Sequence, residues 1–172
     1  DLKNITWNKD SYQEFINYLK SISEKQYKEF SEKITFTKYE MLGIRLPKLR
    51  SIAKVISKGN IQEFSKYSEN TYYEEIMIKL LVIANIKDVN ELMLYFDDAI
   101  NLIDNWALCD TFCNSLKIVE KNKEYFLTKI DELIKSNKTY HIRVGLILLL
   151  CYYVKEEYLD LILKYLDNIK SD

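Results

Sequence analysis

Three apolar helices of one pattern begin at equal intervals in this chain, and that spacing restricts its fold more than any other feature. They open with Thr71-Tyr72-Tyr73-Glu74-Glu75, Asn105-Trp106-Ala107-Leu108-Cys109-Asp110 and Thr139-Tyr140-His141-Ile142-Arg143, so that successive starts lie 34 residues apart. Each is followed by a second amphipathic stretch, near 89–98, 122–135 and 156–168. Paired helices at such a period cannot bury their apolar faces alone and must stack on the next pair, which is the logic of an α-solenoid. The spacing therefore predicts an all-α superhelix, with residues 1–70 as further N-terminal helices and 71–172 as three helix pairs of one domain. The Trp, Gly and Tyr pattern of tetratricopeptide repeats is absent, so the repeats are expected to be HEAT-like or armadillo-like.

Composition agrees. Three Gly and one Pro among 172 residues supply too few turn formers for a many-stranded sandwich or barrel. Apolar residues recur at helical spacing throughout, as in Phe15, Ile16 and Leu19 or Leu159, Ile162, Leu163 and Leu166. Asp10, Asn60, Asp88 and Asn105 precede such segments as expected N-caps, and Pro47 suits a first helical turn. The longest apolar run, Val144 to Val154, is about eleven residues against the roughly 20 that cross a bilayer. The opening residues, with Asp1 and Lys3, do not read as a basic-then-apolar leader, so no signal peptide is expected. Cys109, Cys113 and Cys151, an odd number in apolar surroundings, suit reduced core thiols in a cytoplasmic protein. A Lys-, Ile- and Asn-rich composition fits a bacterium with an AT-rich genome.

Helices stacked at this period bring distant residues together. Trp106 should align with Tyr72 and Tyr140 as an aromatic row, and Asp110 should fall opposite position 144, next to Arg143. Trp106 and Asp110 are themselves i and i+4, on one face of one helix. An indole, a carboxylate and a guanidinium thus converge. They could be core filler and a staple between repeats. Yet charges inside apolar helices cost desolvation unless they pair or line a cleft, and an indole beside an acid is suited to a cation.

Twenty-five Lys and Arg against twenty-six Asp and Glu exclude any global pull toward nucleic acid or anionic membrane. A local patch remains: Arg45, Lys48, Arg50, Lys54 and Lys58 carry five positive charges with no acid between them, and the last three repeat at i, i+4 and i+8. The stripe could hold a phosphate backbone or be a solvated face. A metal at Cys109, Cys113 and His141 is not expected, because the cysteine spacing is too wide and a fourth ligand is missing. The same thiols beside Leu108 and Phe112 are expected to pack rather than act as nucleophiles. No glycine pattern for a nucleotide is present.

Between about residues 40 and 150 the chain resembles the AlkD-like DNA alkylation repair proteins, DNA glycosylases built from HEAT-like repeats. The resemblance rests on Leu42-Gly43-Ile44-Arg45-Leu46-Pro47-Lys48-Leu49-Arg50, on Tyr73-Glu74-Glu75, on Asn105-Trp106 through Asp110, and on Arg143. It implies that Trp106, Asp110 and Arg143 form a catalytic cleft on a concave surface, and that cationic N3- or N7-alkylated purines are removed without metal or nucleotide cofactor. The implied partner is alkylated double-stranded DNA, bound by a monomer with no membrane involved, and the expected DNA contacts are Arg45, Lys48, Arg50 and Lys54 with Tyr72 and Tyr140. Two features depart from the family. Its further C-terminal repeat with another Trp lies outside these 172 residues, which hold no third Trp, as expected of a C-terminally truncated member, and an aromatic expected upstream of the Gly-Ile element falls on Ile34, with Phe36 or Tyr39 as substitutes. A competing expectation is a HEAT-like scaffold that binds DNA structures or a protein partner without chemistry.

Overall fold

Residues 2–169, which the computed structural model describes, form ten α-helices in two layers. In chain order they are α1 (Lys9–Ser21), α2 (Lys25–Ile34), α3 (Leu46–Ile56), α4 (Ile61–Tyr67), α5 (Tyr73–Ala84), α6 (Val89–Leu102), α7 (Trp106–Ser115), α8 (Lys123–Ile134), α9 (Thr139–Tyr152) and α10 (Leu159–Asn168), with short 3-10 helices at Lys117–Lys121 and Glu156–Tyr158. Among the described residues there is no strand, and the extended pairing present is one isolated bridge between Glu40 and Tyr72. The all-helical superhelix predicted from the repeat is the fold.

The starts follow local chemistry. Asn60, Asp88 and Asn105 accept from the backbone N–H of Glu63, Glu91 and Leu108 at 3.0, 2.9 and 3.0 Å, satisfying donors that a helix start leaves free. At α1 the cap is Asn8 rather than the expected Asp10. Its side chain accepts from Asp10 and Ser11 while Ser11 Oγ accepts from the Asn8 N–H, a reciprocal box that places Asp10 in the first turn. Pro47 sits in the first turn of α3 as expected.

Helices α3, α5, α7 and α9 pack side by side in succession, while α4 lies on α1 and α5, α6 on α5 and α9, and α8 on α9. Helix α5 is contacted from both layers and is accordingly apolar almost all round, with every residue from Ile76 to Ala84 buried except Lys79. Each such Leu or Ile contributes about 1.5–3 kcal/mol by leaving water. The first residues of α5, α7 and α9 are Tyr73, Trp106 and Thr139, so the repeat step in the structure is 33 residues rather than 34.

Gly43 is the one glycine with a positive φ, +92°, and a Cβ there would lie 2.6 Å from the Glu24 carbonyl oxygen. Its own carbonyl accepts from the Glu24 N–H at 2.8 Å, so the contact cannot relax by separation without losing that bond. Gly43→Ala is expected to lose about 2 kcal/mol or more of stability, checked by urea unfolding. An unchanged midpoint would mean that the loop shifts freely.

Cys109 and Cys113 are buried, Cys151 is partly so, and all three are free thiols. No helix of the described residues is long and apolar enough to cross a membrane.

Candidate active site

The 33-residue step decides what meets what. Asp110 is the fifth residue of α7 and Arg143 the fifth of α9, so the two occupy one register position on neighbouring helices. Arg143 Nε donates to Asp110 Oδ1 at 3.0 Å and its Nη2 to Oδ2 at 2.9 Å. This side-on bidentate pair fixes the carboxylate plane as well as its position. The hydrogen bond to Asp110 raises the already high pKa of Arg143. Their side chains keep 41% and 30% exposure, so the pair opens to solvent and adds at most about 1 kcal/mol to folding.

Trp106 stands one turn before Asp110 on the same face, 47% exposed. Two neighbours in the chain anchor it. Asn105 caps α7 and also donates to Asp104, whose carboxylate accepts from Thr37 Oγ1 and from the Lys38 N–H at 2.7 Å. The indole N–H itself points to the Ile34 carbonyl at 3.4 Å. The shared register aligns Trp106 with Tyr73 and Thr139, not with Tyr72 and Tyr140 as the 34-residue period had placed it. Tyr72 caps α5, with Lys20 Nζ 5.0 Å over its ring, and Tyr140 is the second residue of α9, half-buried against the core.

Beside Trp106 and Asp110 opens a cavity of about 200 Å³, walled by Tyr27, Ile34, Tyr73 and Met77. Neither Phe36 nor Tyr39 lines this cavity; the aromatic that α2 contributes to it is Tyr27. Phe36 projects into solvent, and Tyr39 is buried with its hydroxyl donating to the Leu102 carbonyl. Tyr27, Ser31 and Ile34 share one face of α2 at i, i+4 and i+7, a signal present in the sequence, and Arg45 lies 4.8 Å over the Tyr27 ring.

The loop between α2 and α3, a wall of this cavity, is gripped by a buried acid whose role sequence reasoning missed. Glu74 accepts from the backbone N–H groups of Leu42, Gly43 and Ile44 at 2.8, 2.7 and 3.2 Å. Its neighbour Glu75 is fully buried and accepts from Tyr12 Oη, Ser68 Oγ and the N–H groups of Glu69, Asn70, Thr71 and Tyr72. Burial, and then the Glu75 charge, push the Tyr12 hydroxyl well above its ordinary pKa, so it stays a donor.

The basic stripe divides. Arg45 is drawn aside by Glu24, its Nε 3.0 Å from Oε1. Lys48 and Lys58 are exposed. Arg50 donates to Ser115 Oγ at 2.9 Å, and Arg50 and Lys54 line, with Asn114, Ser115 and Lys117, a cavity of about 310 Å³. Lys117 is a third cation that the α3 pattern could not reveal. Asn114 continues the face of Trp106 and Asp110 by another turn and donates to the Asp110 carbonyl. The basic cavity thus begins about 12 Å along α7 from the indole, the axial length of about three to four nucleotides of one duplex strand. Reversing Arg50 and Lys54 to Glu together is expected to weaken duplex binding and flatten its salt dependence, measured by titration at two salt concentrations. Unchanged titrations would leave the cavity a solvated face.

Cys109 and Cys113 are fully buried, and burial raises the Cys113 thiol. His141 instead meets Asn101, its pKa lowered by burial and by Lys138. Among the described residues no three His, Cys, Asp or Glu side chains are grouped to hold a metal ion.

The all-helical superhelix thus carries a solvent-open acid and guanidinium on two neighbouring helices, with a half-exposed indole one turn before the acid. The family model described as DNA alkylation repair enzyme matches residues 15–172, and the chain belongs to that family. Neither the curated proteins nor the solved structures compared with it gave a match.

Proposed function

We propose that this chain is a DNA glycosylase that hydrolyses the N-glycosidic bond of N3- or N7-alkylated purines in duplex DNA. The observation that carries this reading is the bidentate Arg143–Asp110 pair, open to solvent one helical turn from a half-exposed Trp106. Alkylation at N3 or N7 gives the purine a positive charge, so it departs neutral and needs no acid to protonate it. The C1′–N bond breaks with its electron pair going to the base, and positive charge develops on the sugar. Asp110 stabilises that charge electrostatically through its carboxylate and orients the water whose oxygen bonds to C1′, the released proton passing to the carboxylate or to solvent. Trp106 meets the cationic nucleotide through its π face. Arg143 orients Asp110 through its two hydrogen bonds and presents its remaining edge to an adjacent phosphate. Arg50 and Lys54, with Lys48, Tyr72 and Tyr140, contact the backbone. Arg45, already paired with Glu24, contributes least.

The test is release of labelled 7-methylguanine or 3-methyladenine from methylated duplex DNA. Release by the wild-type protein in the presence of a chelator is expected. Absence of release from DNA that the protein nonetheless binds would leave a scaffold that recognises DNA without chemistry.

A further inference from the structure

Phe36 is 86% exposed, the most open large apolar side chain among the described residues, yet it stands on a loop that is firmly held. Before it, the Ile34 carbonyl accepts from the Trp106 indole, and Thr35 is buried with its N–H on the Ser31 carbonyl at 3.0 Å. After it, Thr37 Oγ1 lies 2.9 and 3.0 Å from the two carboxylate oxygens of Asp104, and Lys38 N–H lies 2.7 Å from one of them. Residues 34 and 37 are therefore tied to residues 106 and 104, so the chain on both sides of Phe36 is held to the segment that carries Trp106. No aromatic contact among the described residues engages its ring.

A single exposed apolar residue needs no explanation, but this one belongs to a group. Phe30 and Ile34, one turn apart on α2, are 56% and 49% exposed and lead from α2 to the half-exposed Trp106. Lys33 and Lys38 flank Phe36 in the chain and are also exposed or half-exposed. An aromatic tip bracketed by cations is suited to a surface whose edges are phosphates and whose interior is stacked rings. Because the loop is already ordered by Asp104 and Glu74, little side-chain and backbone freedom is lost on insertion.

From this juxtaposition we propose that Phe36 is a wedge that enters the base stack of duplex DNA beside the nucleotide held at Trp106 and Asp110. Apolar side chains inserted between base steps unstack and bend a duplex, and that distortion exposes the sugar of the neighbouring nucleotide to Asp110. Phe36 is a positioning residue in this scheme. The proposal rests on the glycosylase reading only for the identity of the adjacent nucleotide.

The test uses a duplex carrying 2-aminopurine next to a tetrahydrofuran abasic-site analogue, whose fluorescence rises when the base is unstacked. Saturation with wild-type protein is expected to raise the signal, Phe36→Ala to abolish the rise, and Phe36→Leu to restore part of it. Phe36→Ala should also bind this duplex roughly 10-fold more weakly, the effect of one lost stacking contact, with thermal unfolding unchanged. Equal fluorescence for wild type and Phe36→Ala, or no rise with either, overturns the wedge. A fluorescence difference without release of methylpurine by the wild type keeps the wedge and removes the glycosylase reading. Release together with equal fluorescence does the reverse.

Discussion

Replacing Glu75 by Ala is expected to cost about 3–5 kcal/mol of stability, lowering the thermal midpoint by roughly 10 °C. The carboxylate lies out of contact with solvent and accepts from six donors, four of them consecutive backbone N–H groups of residues 69–72. Removing it leaves those donors facing one another, and each buried unsatisfied donor costs about 1–3 kcal/mol before relaxation. It also frees Tyr12 Oη, the tie between α1 and α5, and the left-handed Asn70 that the ring of N–H groups stabilises. Glu75→Gln is expected to recover only part of the loss, because its amide NH2 must point at donors. A midpoint within two degrees of wild type for Glu75→Ala would show that water takes over the acceptor role.

The other large effect concerns chemistry alone. Asp110→Asn is expected to reduce methylpurine release by about 100-fold or more, the usual scale for losing one preorganised electrostatic partner of a developing charge. Duplex affinity should change only a few-fold, and stability by less than about 1 kcal/mol, since the ion pair with Arg143 is partly exposed. Asn keeps the shape of the side chain but turns its amide nitrogen toward one of the arginine N–H groups, so the loss combines missing charge with a disturbed orientation. Release unaffected by the substitution would assign charge stabilisation to another group.

How far these residues were readable from the chain depended on how local each signal was. Trp106 and Asp110 share a face through i, i+4 spacing alone, and the caps at Asn60, Asp88 and Asn105 need only their own first turns. Arg143 required the repeat, and the repeat was measured one residue too long. The loop through residue 72 wraps the Glu75 carboxylate and delays α5 by two residues from Thr71 to Tyr73, and Asn105 serves as the cap of α7, which begins one residue later at Trp106. A boundary error of that size is normal for helix ends, but in a stacked array it shifts every alignment. Tyr27 was missed because its place at the cavity depends on the long loop after α2, which has no periodicity. Glu74 and Glu75 stand as two acids before a run that is otherwise nearly all apolar. That contrast was visible, but only the fold reveals that the backbone of two loops is their counterpart.

Because Asp110 and Arg143 come from different helix pairs, the geometry of the proposed site belongs to the seam between two units rather than to either one. The pitch of the coil becomes a chemical variable. A change that opens the α7–α9 junction by about one ångström would separate acid from guanidinium while leaving every helix intact, so substitutions deep in that junction, at Cys113 or Val144, are expected to lower the proposed methylpurine release without touching Asp110 or Arg143.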